Sequence, residues 1–260
     1  MRIFGRKLDL VGFILPVLIL AGWHIAVKTG IIASYILPGP QNILHALTDF
    51  AHGKAALSPY SGKLAENLSI SFLRVIIGFS IAAACGLVAG FMTGRISLVR
   101  RIIDPTVHAV RTVPGIGWLP IAMVWFGVGE RTTVFLIALA SFFPIYINTA
   151  YGASQVPPLL IRAGRMLGAE GLSLFKTVIF PSAFPSVVVG LRLGMGVAWA
   201  YLVLGELTGV TAGLGAVMMD SRMMGQIEMI IVSMICIALM GVITDRVLLF
   251  ICRRILPTVG

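Results

Sequence analysis

Charge is what this chain has least of. Asp, Glu, Lys and Arg make up only 12% of its 260 residues, about half the share found in soluble globular domains. Hydrophobic residues make up 58% and the mean hydropathy is +1.00, which excludes an ordinary soluble domain and identifies an integral membrane protein. Cysteine is nearly as scarce: Cys85, Cys236 and Cys252 are too few and too scattered for a disulfide framework or a zinc site, and read as buried or cytoplasmic thiols. The four histidines, His24, His45, His52 and His108, are dispersed and form neither a metal cluster nor a nucleophile–base pair, so a membrane-embedded enzyme has no constellation to work with. No G-x-x-x-x-G-K-[ST] phosphate loop is present, and the chain cannot hydrolyse ATP unaided. Arg2, Arg6 and Lys7 before an apolar run mimic a secretory signal, but no convincing small-x-small cleavage site precedes a polar region. Trp23-His24 looks interfacial, so the first helix is expected to be retained.

What the chain does have is apolar length. Crossing a bilayer as a helix takes about 20 residues, and stretches of that kind lie near 10–29, 66–93, 102–128, 133–153, 184–210 and 229–251. The expectation is an all-α protein of six transmembrane helices forming a single membrane domain over 1–260. Arg2, Arg6 and Lys7 precede the first span, Arg95, Arg100 and Arg101 follow the second, Arg162, Arg165 and Lys176 follow the fourth, and Arg253 and Arg254 follow the sixth. Alternate loops are therefore basic, which places both termini and the loop at 154–183 on the cytoplasmic side. Lys28, Lys54, Lys63, Arg131 and Arg222 fall more thinly in the opposite loops. The net charge of +10 then reflects topology and contact with lipid headgroups, not nucleic-acid binding.

The outer segment, 30–63, carries Leu37-Pro38-Gly39-Pro40 and an amphipathic stretch, Gln41–Phe50, with Ile43, Leu44 and Leu47 on one helical face. A helix lying flat at the outer surface follows, serving either as a lid on the bundle or as a docking surface for an external partner. Gly78, Ala82, Gly86, Gly90 and Gly94 recur at every fourth position of the second span, and Gly190, Gly194 and Ala198 repeat the pattern in the fifth. These are packing seams, within the chain or between two copies.

Arg74, Arg111, Arg192 and Glu206 sit inside apolar spans, where an ionised side chain is costly unless paired or wetted. Arg192 and Arg74 are near enough to span ends to snorkel. Arg111 lies about 13 Å into the third span, too deep to do so easily. Just beyond it come Pro114, Gly115, Gly117, Trp118 and Pro120, which predict a kinked or unwound helix whose freed backbone faces protein or water. A broken helix beside a buried cation suits a translocation path. The alternative pairs Arg111 with Glu206 or with carbonyls at the break.

Between the fourth and fifth spans, Ser154–Lys176 forms a polar interruption. Pro157-Pro158 opens a short helix, Leu159–Leu167, closed by Gly168, and a second turn, Leu172–Ile179, is expected to stop at Pro181 and Pro185. The spacing from Ala163 through Gly168 to Val178, Phe180 and Pro181 resembles the EAA loop of ABC-importer permeases, with Arg162-Ala163-Gly164 where that loop has Glu-Ala-Ala. Ser71-Phe72-Leu73-Arg74, Gly78-Phe79, Trp125-Phe126-Gly127, Phe143–Thr149, Gly190-Leu191-Arg192 and Gly205-Glu206 resemble the nitrate/sulfonate/taurine branch of these permeases.

The resemblance implies a type I ABC importer (MetI-like) permease fold with a cytoplasmic coupling helix, in a bacterial inner membrane. It implies two permease copies, in this branch usually identical, two ATPase subunits that bind ATP and Mg, and an external solute-binding protein. This chain itself would hold no cofactor. The coupling surface would comprise Leu159, Leu160, Arg162, Ala163, Arg165, Met166, Leu167, Gly168, Ala169, Glu170, Gly171 and Pro181. The translocation path would draw on Arg111, Pro114, Gly115, Gly117, Trp118, Pro120, Glu206 and Arg74. The excess of arginine over carboxylate in the spans favours an anion. An ion-coupled secondary transporter of a small organic anion is the rival, with Glu206 as its only candidate coupling carboxylate.

Overall fold

The computed structural model describes residues 14–30, 36–53 and 58–256. Arg2, Arg6, Lys7, Lys54 and residues 10–13 of the first expected span lie outside these. In chain order the α-helices are α1 (Ile14–Lys28), α2 (Pro40–His52), α3 (Leu64–Arg95), α4 (Ser97–Thr112), α5 (Leu119–Phe126), α6 (Glu130–Ser154), α7 (Pro158–Met166), α8 (Gly171–Leu174), α9 (Phe180–Glu206), α10 (Leu214–Met223) and α11 (Ile227–Ile255).

Among the described residues four helical stretches are long and apolar enough to cross a membrane: α3, α6, Gly171–Glu206 and α11. A fifth is possible if α4 and the segment Gly115–Phe126 count together, but these are bent by 93°. The expected span at 102–128 is thus two arms, not one rod. Its first arm, moreover, is the polar-studded α4, which carries Arg100, Arg101, Asp104, His108 and Arg111.

The chain divides into two compact units, residues 1–65 with 217–234 and residues 66–216 with 235–260. In the first, α2 starts at Pro40, whose missing N–H is harmless in a first helical turn, and ends at Gly53, whose φ of 68° suits glycine. Its buried face is Ile43, Ala46, Asp49 and Phe50. Leu44 is exposed instead of sharing that face, because one residue's 100° rotation carries it to the edge of the stripe formed by 43, 46 and 50. The Ser61 hydroxyl donates to the Asp49 carboxylate, and the Tyr60 hydroxyl donates to Asp220. Burial, then the bond to Asp220 and its charge, pushes the Tyr60 phenol up to about 12.

In the second unit α6 is the pillar. A Cβ added to Gly78, Gly86, Gly90 or Gly94 of α3 would meet Ile137, Ile145, Thr149 or Ala153 of α6 at 2.6–2.9 Å. From the other side Gly190 and Gly194 of α9 close on Asn148 and Ile145, and Gly205 closes on Thr133. The small-residue stripes are therefore seams inside the chain, where backbones approach because lipid supplies no hydrophobic drive to hold helices together. Ile145, fully buried, is held between Gly86 and Gly194. On the far face of α9, Trp199 Nε1 donates to Thr244 Oγ1 of α11 at 3.0 Å, and Phe184 and Val188 pack with Cys252.

The segment after Gly171 does not stop at Pro181. A π turn over Phe175–Ile179 runs directly into α9, which places Pro181 in that helix's first turn and leaves Pro185 inside it. Pro181 has no N–H to give the turn before it, and the wider pitch of the π turn accommodates its ring, so the helix is re-pitched but not ended.

Candidate translocation site and coupling surface

The helix break has a local cause. Val113, preceding Pro114, is extended at φ −71° and ψ 119°, the region that a following proline ring favours. Gly115–Trp118 then make one 3₁₀ turn before Leu119 restarts the helix. Beside the break opens a cavity of about 630 Å³ lined by Arg111, Val113, Pro114, Gly115 and Trp118, by Leu139, Ala140, Phe143, Pro144, Ile147 and Asn148 of α6, and by Leu193, Val197 and Tyr201 of α9. That size is typical of small-ligand sites. A methyl group on Gly115 would overlap the Tyr201 hydroxyl, so only glycine lets the break approach α9 this closely.

The cavity's polar groups are few and placed on largely apolar walls. Arg111 is exposed and forms no ion pair among the described residues. Trp118 Nε1 is buried without an acceptor among the described residues. Asn148 Nδ2 donates to the Pro144 carbonyl at 2.8 Å, while Pro144 has no N–H to offer the Ala140 carbonyl one turn earlier. Gly117 and Pro120 belong to the break but not to the lining.

Arg74 and Glu206 are also outside that lining, and they pair with each other instead of snorkelling or reaching Arg111. Arg74 Nη1 donates to Glu206 Oε1 at 2.7 Å and to the Ala212 carbonyl at 2.7 Å, and Nη2 reaches Glu130 at 3.1 Å. The Glu206 carboxylate also accepts from the Ser71 hydroxyl at 2.8 and 2.9 Å and from the Gly215 N–H at 2.7 Å. Ser71 in turn accepts from the Leu214 N–H, and Asn67 Oδ1 accepts from the Gly213 N–H, each at 2.8 Å. The group thus ties α3 to the end of α9 and to the loop entering α10. Arg192 likewise does not snorkel: it makes two parallel 2.8 Å bonds to Asp245 of α11.

The loop at 154–183 is a packed knob. At the end of α7 the Gly168 N–H donates to the Arg165 carbonyl at 2.9 Å and the Ala169 N–H to the Gly164 carbonyl at 3.0 Å. With Gly168 at φ +82°, this is a Schellman stop. Ile161 packs with Val156, Leu174, Ile179 and Ala183, and a Cβ on Gly164 would lie 2.9 Å from both Leu174 and Val178. Phe91 of α3 braces the knob, its ring 5.0 Å edge-on from Phe175 and 6.0 Å from Phe180. On the outer side Leu159, Met166 and Leu167 are 76%, 89% and 88% exposed. Arg162, Ala163, Arg165, Gly168, Glu170 and Gly171 are exposed with them, and Ala169 is half-buried.

A family model described as "Binding-protein-dependent transport system inner membrane component" matches residues 69–257. The chain belongs to this family. The permease is a non-catalytic, multi-pass inner-membrane component of a binding-protein-dependent ABC transporter, a system that implies an ATPase and a binding protein as partners. It is 33% identical over 245 residues to the aliphatic sulfonates transport permease protein SsuC of Bacillus subtilis, covering 94% of this chain and 86% of the relative. It is 31% identical over 246 residues to the taurine transport system permease protein TauC of Escherichia coli, covering 95% and 88%. Against the nitrate import permease protein NrtB of Synechocystis it is 33% identical over 187 residues, covering 72% and 68%. A chain of the inward-facing MetNI methionine ABC transporter shares its fold, with a TM-score of 0.55 at 21% identity over 76% of this chain and 94% of that one.

Sequence reasoning found the break, the cation beside it and the knob, but missed Tyr201 and Asp245. Tyr201 was detectable as a polar-tipped ring in the apolar run Gly196–Leu204, and Asp245 as a carboxylate in the sixth span. Neither signal says which helix the residue will face.

Proposed function

We propose that this permease forms the translocation path for a small anion delivered by an external binding protein, with Arg111 as its recognising cation at the Pro114–Pro120 break. The observation that carries the reading is the cavity of about 630 Å³ against the break, with an arginine on its wall that no described carboxylate neutralises. A lone guanidinium on an apolar wall attracts an anion and orients it, and Trp118 Nε1 offers a second donor without an acceptor among the described residues. The relatives named for sulfonates, taurine and nitrate support an anionic solute.

In this reading residues 1–260 are one permease domain of six spans, counting α1 and the bent pair, with both termini cytoplasmic by the distribution of basic residues. Two copies pair, each receiving an ATPase on α7 and its flanks, Leu159–Gly171. The knob, braced by Phe91, carries the ATPase's movement into α9 as a rigid-body push. Family membership puts energy coupling on the ATPase and leaves the ion-coupled alternative without a role.

The test is uptake by Arg111→Ala in a complex shown to be assembled. The expected outcome is loss of transport with ATPase subunits still bound, and partial recovery in Arg111→Lys, which keeps the charge but not the planar fork. Wild-type uptake by Arg111→Ala would remove the proposal.

A further inference from the structure

We infer that the ATPase groove receiving α7 has an apolar floor and a rim of carboxylates, and that Arg162 and Arg165 select this partner by charge. The inference rests on the reading of α7 as the ATPase contact and gives that contact a sign.

Leu159, Arg162 and Met166 are spaced i, i+3, i+7 and form one stripe along α7, with Arg165 beside it. The opposite face, Ile161 and Gly164, is consumed by packing against Leu174 and Val178. What is left outward is an apolar ridge, Leu159, Met166 and Leu167, bordered by guanidinium groups. From 154 to 183 the basic residues are Arg162, Arg165 and Lys176, against the single carboxylate Glu170, and none of the four forms an ion pair among the described residues.

A cationic rim of this kind is repelled by a basic groove and complemented by an acidic one, and the cost of juxtaposing like charges makes the choice specific. The sequence carries Arg162 where the EAA loop of related permeases has glutamate, so its partner needs the opposite charge at that point. A lipid surface is the less suitable occupant. Interfacial helices lay a continuous apolar face in the membrane, whereas the outward stripe of α7 sets Arg162 between Leu159 and Met166, with Arg165 beside it. The Schellman stop, besides, fixes Met166 and Leu167 as a narrow tip shaped for a pocket.

The experiment uses the complex purified from its native membrane, with Cys85, Cys236 and Cys252 replaced and Leu167→Cys carrying a photoreactive thiol reagent. Cross-linked peptides are identified by mass spectrometry, and retention of the ATPase is followed against NaCl. The inference expects a cross-link to an ATPase segment rich in Asp or Glu. It expects the affinity of R162E/R165E for the ATPase to be about 10- to 100-fold weaker, while R162K/R165K stays near wild type. Changing the cross-linked segment's carboxylates to lysine should restore R162E/R165E, which a merely misfolded knob would not permit. A cross-link to the ATPase with salt-insensitive retention and no effect of R162E/R165E overturns the charge inference and leaves the coupling reading standing. No cross-link to the ATPase overturns both. Cross-linking to lipid, with the wild type but not R162E/R165E binding phosphatidylglycerol vesicles, overturns it in favour of the membrane.

Discussion

Replacing Glu206 with alanine is expected to destabilise the folded permease by about 3–5 kcal/mol, the cost of leaving one partner of a buried ion pair alone. The carboxylate is fully buried and the Arg74 side chain is 7% exposed. Its removal strips Arg74 of its 2.7 Å bond and the Ser71 hydroxyl and Gly215 N–H of their acceptor. Arg74 would keep only the Ala212 carbonyl and Glu130, whose side chain is 74% exposed and therefore well screened. For a chain of this size each kcal/mol moves the unfolding midpoint by about 2–4 °C, so a fall of roughly 6–20 °C is expected in detergent, followed by fluorescence-detected gel filtration. Removing both partners in R74A/E206A should cost less than the sum of the single losses by about 2 kcal/mol, because no unpaired charge remains. Glu206→Gln keeps the shape and an acceptor, and should retain uptake. If Glu206→Ala moves the midpoint by less than 2 °C, or if the single losses simply add, the pair does not hold the Ala212–Gly215 loop as argued.

Four further outcomes follow from the geometry. Gly86→Ala would press a methyl group against Ile145, at 2.9 Å from its Cγ2, and should cost about 1–3 kcal/mol; adding Ile145→Ala should recover part of it, read as the same thermal midpoint. Gly115→Ala should block uptake while leaving assembly intact, since its methyl group takes the place of the Tyr201 hydroxyl in the cavity wall; uptake at the wild-type rate would contradict the close approach drawn there. A bulky L-residue at Gly168, held at φ +82°, should cost about 1–2 kcal/mol locally and release ATPase turnover from transport, with Gly168→Asn milder, and full rates of both activities would count against the coupling role. Burial, then the bond to Asp220 and its charge, raises the folded phenol's pKa to about 12 from an unfolded value of about 10, so the stability that goes with the protonated phenol is complete below pH 10 and is lost as pH rises through 12. A Tyr60→Phe difference titration at 295 nm should show one phenol ionising late, and a midpoint near 10 would refute the contact.

Helix positions were legible because apolar length and proline placement act locally. The residue before a proline is biased away from the helical region and Gly115 and Gly117 follow directly, so the break could be placed from the sequence, whereas Pro144 and Pro185 stand inside α6 and α9. The 93° bend could not, because its angle depends on Gly115 seating against Tyr201, a contact between residues 86 positions apart. Pro181 misled for a related reason: proline forbids an N–H bond at its own position, but whether the helix ends there depends on how the preceding turn is pitched. Here the π turn at Phe175–Ile179 absorbs the fault. The glycine stripes announced close packing but not its partner, since small-xxx-small spacing is equally suited to a neighbour in the same chain or in a second copy.

Charges inside the spans were the least legible, and the reason is energetic. Burial cost identifies a residue that must be compensated but is indifferent to the compensator, so depth set Arg111 apart from Arg74 and Arg192 in the sequence without deciding the partner of any of the four. Their fates differ because the α3–α6–α9 seams set which groups share a level: Arg74 meets Glu206 and Glu130, and Arg192 meets Asp245. Arg111 is left facing a cavity. Pairing consumes Arg74 and Arg192 as structure, each held by two charge-assisted bonds to carboxylates. An arginine kept in an apolar bundle without such a partner is tolerable only while water or a visiting anion reaches it. That asymmetry distinguishes Arg111 from the other three, and the same reasoning requires Arg111→Ala to lose solute recognition without losing the fold.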